Sequence, residues 1–315
     1  MIRHRWLGAA SICLGLAAAG PANAYVRYET QSGNPFSWRT QTVDIVGYPH
    51  GLPSMPVEQI TAALQASVSA WSTEDPDNAV CSYLKLSLTM KPESTVPPAA
   101  VNDGDNTIAI RDGDWESICS TTKQGKKVCH LPGELALTTV WSRACGEIVE
   151  ADVEVNAKDF SWADLSATNN PGLQDLQNAV THEVGHFIGL DHTCLLGALV
   201  DSTGAPIEPV DNTGAKVPFC SSTDLTPAER DATMYPSAQP GDVTKRSLSA
   251  DDRQGLCEIY PKGTTPAHCG LGSGGGACTV APEPGGHRRG GGHWLAAIAA
   301  GAGIGAAVRR RSSRR

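Results

Sequence analysis

The chain has 315 residues, a length that allows one or two domains. Nine of its 25 basic residues are arginines near the two ends, so residues 25–277 hold 16 basic against 32 acidic residues, a net charge of about −16. A surface this acidic repels the phosphate backbone, which excludes nucleic acid as an expected partner. The acidity suits a secreted protein and says little more about function.

Residues 1–24 have the features of a secretory signal peptide. Two arginines precede the apolar run 7–19, and the small-residue pattern Ala22-Asn23-Ala24 predicts cleavage after Ala24. The apolar run is too short to span a bilayer comfortably, which weakens the alternative of an uncleaved membrane anchor. We therefore expect an exported protein, either secreted or displayed at the cell surface.

Apolar periodicity predicts the next elements in chain order. Alternating apolar residues predict strands at 41–48 and 83–90, and a short buried run predicts a third at 106–111. Two more strands are predicted at 135–141 and 148–155, joined by a turn at Gly146. Apolar residues three and four apart predict an amphipathic helix at 57–71, with Pro56 at its first turn, where a missing N–H costs nothing. In the last strand, Asp152 and Glu154 alternate with valines, which predicts one wet face. The acidic turn 102–105 lacks EF-hand spacing, so Ca²⁺ is unsupported and a plain turn is favoured.

A second helix is predicted at 173–188, and its last turns open the stretch HEVGHFIGLDH. Residues four apart on a helix share a face, so His182 and His186 can bind one metal ion at about 2.0–2.1 Å. Glu183 lies where a general base can reach the open coordination position. Gly189 can adopt a positive φ and end the helix, which returns His192 as a third ligand. Three protein ligands leave a fourth position for water, as in a catalytic Zn²⁺ site.

These residues match the H-E-x-x-H-x-x-G-x-x-H pattern of the metzincin zinc peptidases. Three further segments resemble those of the matrixin branch. Residues 146–153 resemble its edge-strand segment, and Ala-Thr-Met-Tyr-Pro at 232–236 resembles its Met-turn. The resemblance implies that Met234 forms an apolar floor beneath the zinc site. Residues 248–256 resemble the C-terminal helix of the branch, and Asp251 and Asp252 match the paired aspartates that brace the Met-turn.

The resemblance covers most of residues 25–261 and implies an α+β fold. We expect a metzincin-type catalytic domain with a mixed five-stranded sheet, an active-site helix and a C-terminal helix, stapled by disulfides. The chain departs from matrixins in three respects. It has no cysteine-switch propeptide, and it has no recognisable second zinc cluster, because His50, His130 and His268 are scattered and are expected to be ordinary surface residues.

The third departure is an insertion at 193–231, between the third histidine and the Met-turn. It contains two similar units, at 200–205 and 210–215, which predict a hairpin with two turns. The insertion either shapes substrate access or is a tolerated surface excursion, and the sequence favours neither.

Residues 262–293 form a Gly/Pro-rich linker, and residues 294–315 form an apolar stretch followed by five arginines. We expect the apolar stretch to be a helix. Its fifteen residues are fewer than the ~20 that a spanning helix needs. With the spacer and Cys278, this tail resembles the C-terminal sorting signals of myxobacterial surface proteins. That resemblance implies that the tail is removed and that Cys278 carries the anchor; a poorly spanning tail anchor is the alternative.

Eight cysteines lie between the signal peptide and Cys278, and an even count in an exported chain implies disulfides. Local separations and elimination predict the pairs Cys119–Cys129, Cys194–Cys220, Cys257–Cys269 and Cys81–Cys145. Zinc binding by cysteines is the alternative, but the chain has no C-x-x-C pair.

The sequence therefore predicts a zinc-dependent endopeptidase, secreted or anchored at the surface through its tail. It is expected to be a monomer that acts on protein or peptide substrates. Glu183 is expected to take a proton from water, and Asp191 to orient the local backbone. The alternative is a non-catalytic surface binding or adhesion module that zinc stabilises.

Overall fold

The structure is a computed structural model. It describes residues 25–264, with gaps at 31, 93–94, 98, 114, 122–126, 168–169 and 201–205, and also residues 267–269 and 293–300. The predicted signal peptide, Cys278 and the terminal arginines lie outside the described residues.

The structure contains five α-helices among the described residues: α1 (Val57–Ser69), α2 (Pro76–Ala79), α3 (Leu176–Phe187), α4 (Pro227–Asp231) and α5 (Ala250–Ile259). The strands in chain order are β1 (Val26–Arg27), β2 (Ser37–Trp38), β3 (Thr42–Tyr48), β4 (Lys85–Met90), β5 (Thr107–Arg111), β6 (Cys119–Thr121), β7 (Lys127–Cys129), β8 (Glu134–Ser142), β9 (Glu147–Asn156), β10 (Trp162–Ala163), β11 (Gln174–Asp175), β12 (Leu190–Asp191), β13 (Leu199–Val200), β14 (Pro206–Ile207), β15 (Ser237–Ala238) and β16 (His293–Ala300).

The architecture is mixed α/β, built around a sheet in the order β4-β3-β5-β9-β8. The first four of these strands are parallel to their neighbours, and β8 is antiparallel to β9. These are the five predicted strands. The sequence alternates because one face of the strand is buried: Val43 and Ile45 of β3 are buried, whereas Thr42 before them and Asp44 between them are exposed. Strands β16 and β15 extend the sheet beyond β8.

The two long helices α1 and α3 pack against each other, and α3 also packs against β8. The apolar face predicted for α1 is buried, with Ile60, Leu64 and Val68 in the core. Trp71 follows α1, is fully buried, and donates its indole N–H to the Thr181 carbonyl at 2.7 Å. This bond satisfies the polar atom of a large apolar side chain and fixes α3 against the end of α1.

The face of β9 that we predicted to be wet is buried. Asp152 accepts hydrogen bonds from the backbone N–H and the hydroxyl of Thr107, at 2.9 and 2.7 Å. Glu154 pairs with Arg111 at 2.7 Å and with His130 at 2.9 Å. His130 is therefore a buried partner of a carboxylate and not the surface residue expected. Alternation identified the face, but it could not show that neighbouring segments cover it.

Four cysteine pairs lie at disulfide distance, and two of the four predicted pairs are wrong. Cys119–Cys129 and Cys194–Cys220 are present as predicted. The other two pairs are Cys81–Cys257 and Cys145–Cys269, with Cα atoms 5.2 and 6.4 Å apart. The reason is tertiary: α2 packs against α5, which brings Cys81 to Cys257, and the chain after α5 returns to the turn between β8 and β9.

The described part of the apolar tail is a strand, contrary to the helix expected there. Residues His293–Ala300 form β16, which pairs with β8 and β15. The following stretch contains Gly301, Gly303 and Gly305, and glycine is a poor helix former. The edge of β8 instead offers backbone partners to an extended segment. Among the described residues, no helix has the length and apolar character needed to cross a membrane.

Candidate metal centre

Helix α3 carries the first part of the site. Its N-cap is Asp175, whose side chain accepts the backbone N–H of Asn178 at 2.7 Å, and the helix ends at Phe187. Gly189 then turns the chain with φ +100°. A Cβ atom on Gly189 would lie 2.8 Å from the Phe36 carbonyl oxygen, so both the conformation and the close approach require glycine. The turn leads into β12, which is followed by His192.

The three histidines converge through their Nε2 atoms. These atoms are 3.1 Å apart between His182 and His186, 3.2 Å between His182 and His192, and 3.0 Å between His186 and His192. Ligands at about 2.0–2.1 Å in a tetrahedral arrangement stand about 3.3 Å from one another. The three nitrogen atoms therefore have the spacing of a set that can hold one metal ion.

The outer ring atoms fix the orientation of two of these ligands. Nδ1 of His182 lies 2.7 Å from the Thr233 carbonyl oxygen, and Nδ1 of His186 lies 2.9 Å from the Leu190 carbonyl oxygen. Carbonyl oxygens only accept, so both Nδ1 atoms donate, and each Nε2 atom presents a lone pair towards the centre.

Burial keeps the rings neutral. Desolvation lowers the pKa of His186 to about 4, and it lowers the pKa of His182 and of His192 well below the usual value. Neighbouring imidazoles in the triad lower the last two further. Neutral imidazole is the form that binds a metal ion.

Glu183 is fully buried beside the triad and contacts β8. The Thr138 hydroxyl lies 2.6 Å from Oε2 of Glu183 and 3.0 Å from its carbonyl oxygen. A hydroxyl hydrogen bond of this length to a carboxylate is charge-assisted and holds the carboxylate in one orientation. Thr138 could not be predicted from the sequence, because it lies 45 residues from Glu183 and belongs to an otherwise ordinary strand.

The Met234 side chain packs against α3 at Gly185, and its role as a floor beneath a zinc site stays a prediction. A Cβ atom on Gly185 would lie 2.2 Å from Sδ of Met234 and 2.9 Å from Cζ2 of Trp71. The helix therefore approaches the methionine through a position that has no side chain. Gly185 lies between two ligands in the sequence, yet it was not identified as a site residue.

The two aspartates at the start of α5 have different surroundings. Asp252 accepts the backbone N–H groups of Thr233 and Met234 at 2.6 and 3.3 Å, so it holds the turn that contains the methionine. Asp251 makes no such bond, and its Oδ1 atom has no hydrogen-bond partner among the described residues. Asp191 accepts the backbone N–H of His192 at 2.7 Å, which matches the orienting role expected for it.

Lys245 is a buried cation near the triad that sequence analysis did not identify. Its Nζ atom donates to the Ser237 carbonyl oxygen at 2.8 Å and lies 3.4 Å from the Asp242 carboxylate. Its charge contributes to the lowered pKa of His182 and of His192. Ser237 begins β15, so Lys245 anchors the short strand on the far side of β16. Nothing in the sequence around a lone lysine indicates such burial.

The acidic turn 102–105 and the insertion 193–231 both contain turns that a carboxylate closes. At the acidic turn 102–105, Asp103 and Gly104 donate backbone N–H groups to Glu150 at 3.1 and 2.5 Å, as in a plain turn closed by a carboxylate. In the insertion, β13 pairs with β14, and Asp211 closes the second turn through the N–H groups of Thr213 and Ala215. The loop of the first unit lies outside the described residues.

Searches against protein-family models and curated protein sequences find no match to this chain. The structure itself shows a mixed α/β architecture, four cysteine pairs at disulfide distance, and a three-histidine cluster that could bind a metal ion.

Proposed function

We propose that the chain is a zinc-dependent endopeptidase of the matrixin-like metzincin type. One arrangement carries this proposal: the Nε2 atoms of three neutral imidazoles, two on α3 and one at His192 after β12, lie within 3.2 Å of one another, and Glu183 lies one residue along the helix from His182. Three nitrogen ligands suit Zn²⁺ and leave one coordination position open. The buried Glu183 carboxylate, next to His182 on the helix, suits amide hydrolysis, in which water loses a proton as it attacks.

The triad, Glu183, Thr138 and Asp191 have different roles in the proposed hydrolysis. Zinc, when bound by the triad, supplies a Lewis acid that polarises a peptide carbonyl. Glu183 takes a proton from the attacking water and later gives it to the leaving amine. Thr138 holds the carboxylate for that transfer through its 2.6 Å hydrogen bond. Asp191 fixes the backbone at the third ligand and takes no part in the chemistry.

We also propose that the protein acts outside the cell on protein or peptide substrates. The four disulfides are compatible with an extracellular protein. The signal peptide, the sorting tail and the anchor at Cys278 remain predictions from the sequence, as does a monomeric state.

The test is cleavage of a mixed peptide library by the oxidised protein, with and without a zinc chelator. Glu183→Gln is the informative variant, since it keeps the shape of the side chain and removes the base. We expect it to bind one zinc ion per chain by metal analysis and to lose about 10²–10⁴-fold in kcat.

Asp191→Ala is the comparison variant. It removes one local backbone contact, so we expect a smaller loss of activity than in Glu183→Gln. Equal losses would contradict the roles given to the two carboxylates. A folded, zinc-loaded protein that cleaves no peptide, with residues 293–300 either in place or displaced, would contradict the peptidase proposal and favour a zinc-stabilised binding module.

A further inference from the structure

Strand β16 pairs with two edges at once. It runs antiparallel to β8, from His293 opposite Trp141 to Ala299 opposite Glu134. Its last two residues also run parallel to β15, with Ala299 opposite Ser237. The segment packs against α3 between these two strands, beside the helix that carries two of the three histidines. The C-terminal segment therefore bridges β8 and β15 next to the candidate metal centre.

The register places the middle of β16 at the site. Ala296 lies opposite Thr138 of β8, and the Thr138 hydroxyl contacts the Glu183 carboxylate. On the other side, Lys245 holds β15 through the Ser237 carbonyl oxygen. An extended backbone between the two strands thus passes the point where β8 meets the proposed general base.

A disulfide holds the chain that precedes this segment close to the end of β8, where the segment begins to pair. Cys269 is paired with Cys145, which lies just beyond the end of β8. His293, the first residue of β16, pairs with Trp141 at that same end. The 23 residues 270–292 can span up to about 80 Å, far more than this separation requires. A segment tethered in this way competes at an effective concentration on the order of millimolar.

We propose that residues 293–300 are an intramolecular occupant of the cleft, which covers the histidine triad and excludes other extended peptides from β8 and β15. The docking rests on the strand pairing alone. The inhibitory consequence rests on the proposed peptidase function. Any event that removes or displaces these residues would open the site.

The test compares the full oxidised chain with Ala296→Pro/Ala297→Pro. Adjacent residues of a strand direct their N–H groups to opposite edges, so the two prolines remove one donor on each side. Ala306→Pro/Ala307→Pro is the matched control, since it makes the same change in the tail beyond β16. Three quantities are measured: amide hydrogen exchange in residues 134–142, the rate at which a chelator removes Co²⁺ from the loaded protein, and peptide turnover.

We expect the first proline pair to speed exchange of the β8 amides that face β16, and the loss of Co²⁺, each by about tenfold or more, which corresponds to about 1.4 kcal/mol. Peptide turnover should rise in parallel, and the control should behave as wild type. Unchanged exchange in β8 would overturn the docking, and unchanged Co²⁺ loss would overturn the covering of the triad. If both change but no variant cleaves peptides, the peptidase function fails and the intramolecular cover stands.

Discussion

Gly185→Ala tests whether the methionine floor limits how closely α3 can approach. The new methyl group would lie 2.2 Å from Sδ of Met234 and 2.9 Å from Cζ2 of Trp71. Trp71 cannot easily move, because its indole N–H is bonded to the Thr181 carbonyl at 2.7 Å. The methionine side chain must therefore shift, and with it the packing beneath α3 and its two histidines.

Two effects of this substitution oppose each other. Overpacking a core costs about 1–3 kcal/mol, and replacing glycine by alanine inside a helix gains about 1 kcal/mol. We expect a net destabilisation of up to about 2 kcal/mol for Gly185→Ala. Met234→Ala alone should cost about 2–5 kcal/mol through the cavity it leaves. In that background the contact with Sδ is gone and only the 2.9 Å contact with Trp71 remains, so Gly185→Ala should cost less than it does in the wild type.

The assay is urea unfolding of the oxidised, chelator-treated protein for wild type, both single variants and the double variant. A double-mutant cycle should give a coupling free energy of about 1–3 kcal/mol between positions 185 and 234. Gly185→Ala that stabilises the wild type, or a coupling energy near zero, would refute the argument that the missing side chain at 185 accommodates the methionine.

Three further predictions concern carboxylates and one hydroxyl. Burial raises the pKa of Asp152 to about 7, so the folded state keeps a proton that the unfolded chain releases from about pH 4. Its contribution to stability is present below pH 4 and is lost as the pH rises to 7; Asp152→Asn should lessen that decline in urea unfolding at pH 5 and 8. Asp252→Ala should cost about 2–4 kcal/mol in thermal unfolding because it leaves buried N–H groups unpaired, whereas Asp251→Ala should cost little. Thr138→Val should lower kcat about tenfold at unchanged zinc content, because Glu183 loses its orienting hydrogen bond.

Local chemistry explains which features were predictable. A strand exposed on one face imposes a period of two on its sequence, so the alternation at 41–48 located β3 at Thr42–Tyr48. The triad could also be predicted from local sequence. A helix places His182 and His186 on one face, and Gly189, with φ +100°, turns the chain so that His192 returns to them. Eleven consecutive residues contain all of this information.

The features that sequence analysis missed depend on contacts between distant parts of the chain. Cys81 and Cys257 are 176 residues apart, and only the packing of α2 on α5 brings them together. The tail has an apolar composition that suits a short helix or a strand equally well. The edge of β8, which has no signature in the tail itself, decides between them.

The triad itself poses a question of stability, because buried ring nitrogens need hydrogen-bond partners. The three Nε2 atoms cannot all supply one another with such partners. Nδ1 of His182 and Nδ1 of His186 are both committed as donors to carbonyl oxygens, so their Nε2 atoms face each other as two acceptors at 3.1 Å. His192 can donate to only one of them. An unsatisfied buried acceptor costs about 1–3 kcal/mol, and protonation is opposed by the burial that lowers these pKa values.

A cation among the three lone pairs removes this penalty. Metal binding should therefore stabilise the folded state in addition to serving the proposed reaction. Zinc at about 1,000 times its Kd should add about 4 kcal/mol to the free energy of unfolding. His192→Ala should abolish most of that gain while changing the stability of the chelator-treated protein little, since it also removes one of the facing nitrogens. Thermal unfolding of both proteins with zinc and with chelator measures the difference. If the wild type unfolds at the same temperature in both conditions, the three histidines are core residues and not a receptor for a metal ion.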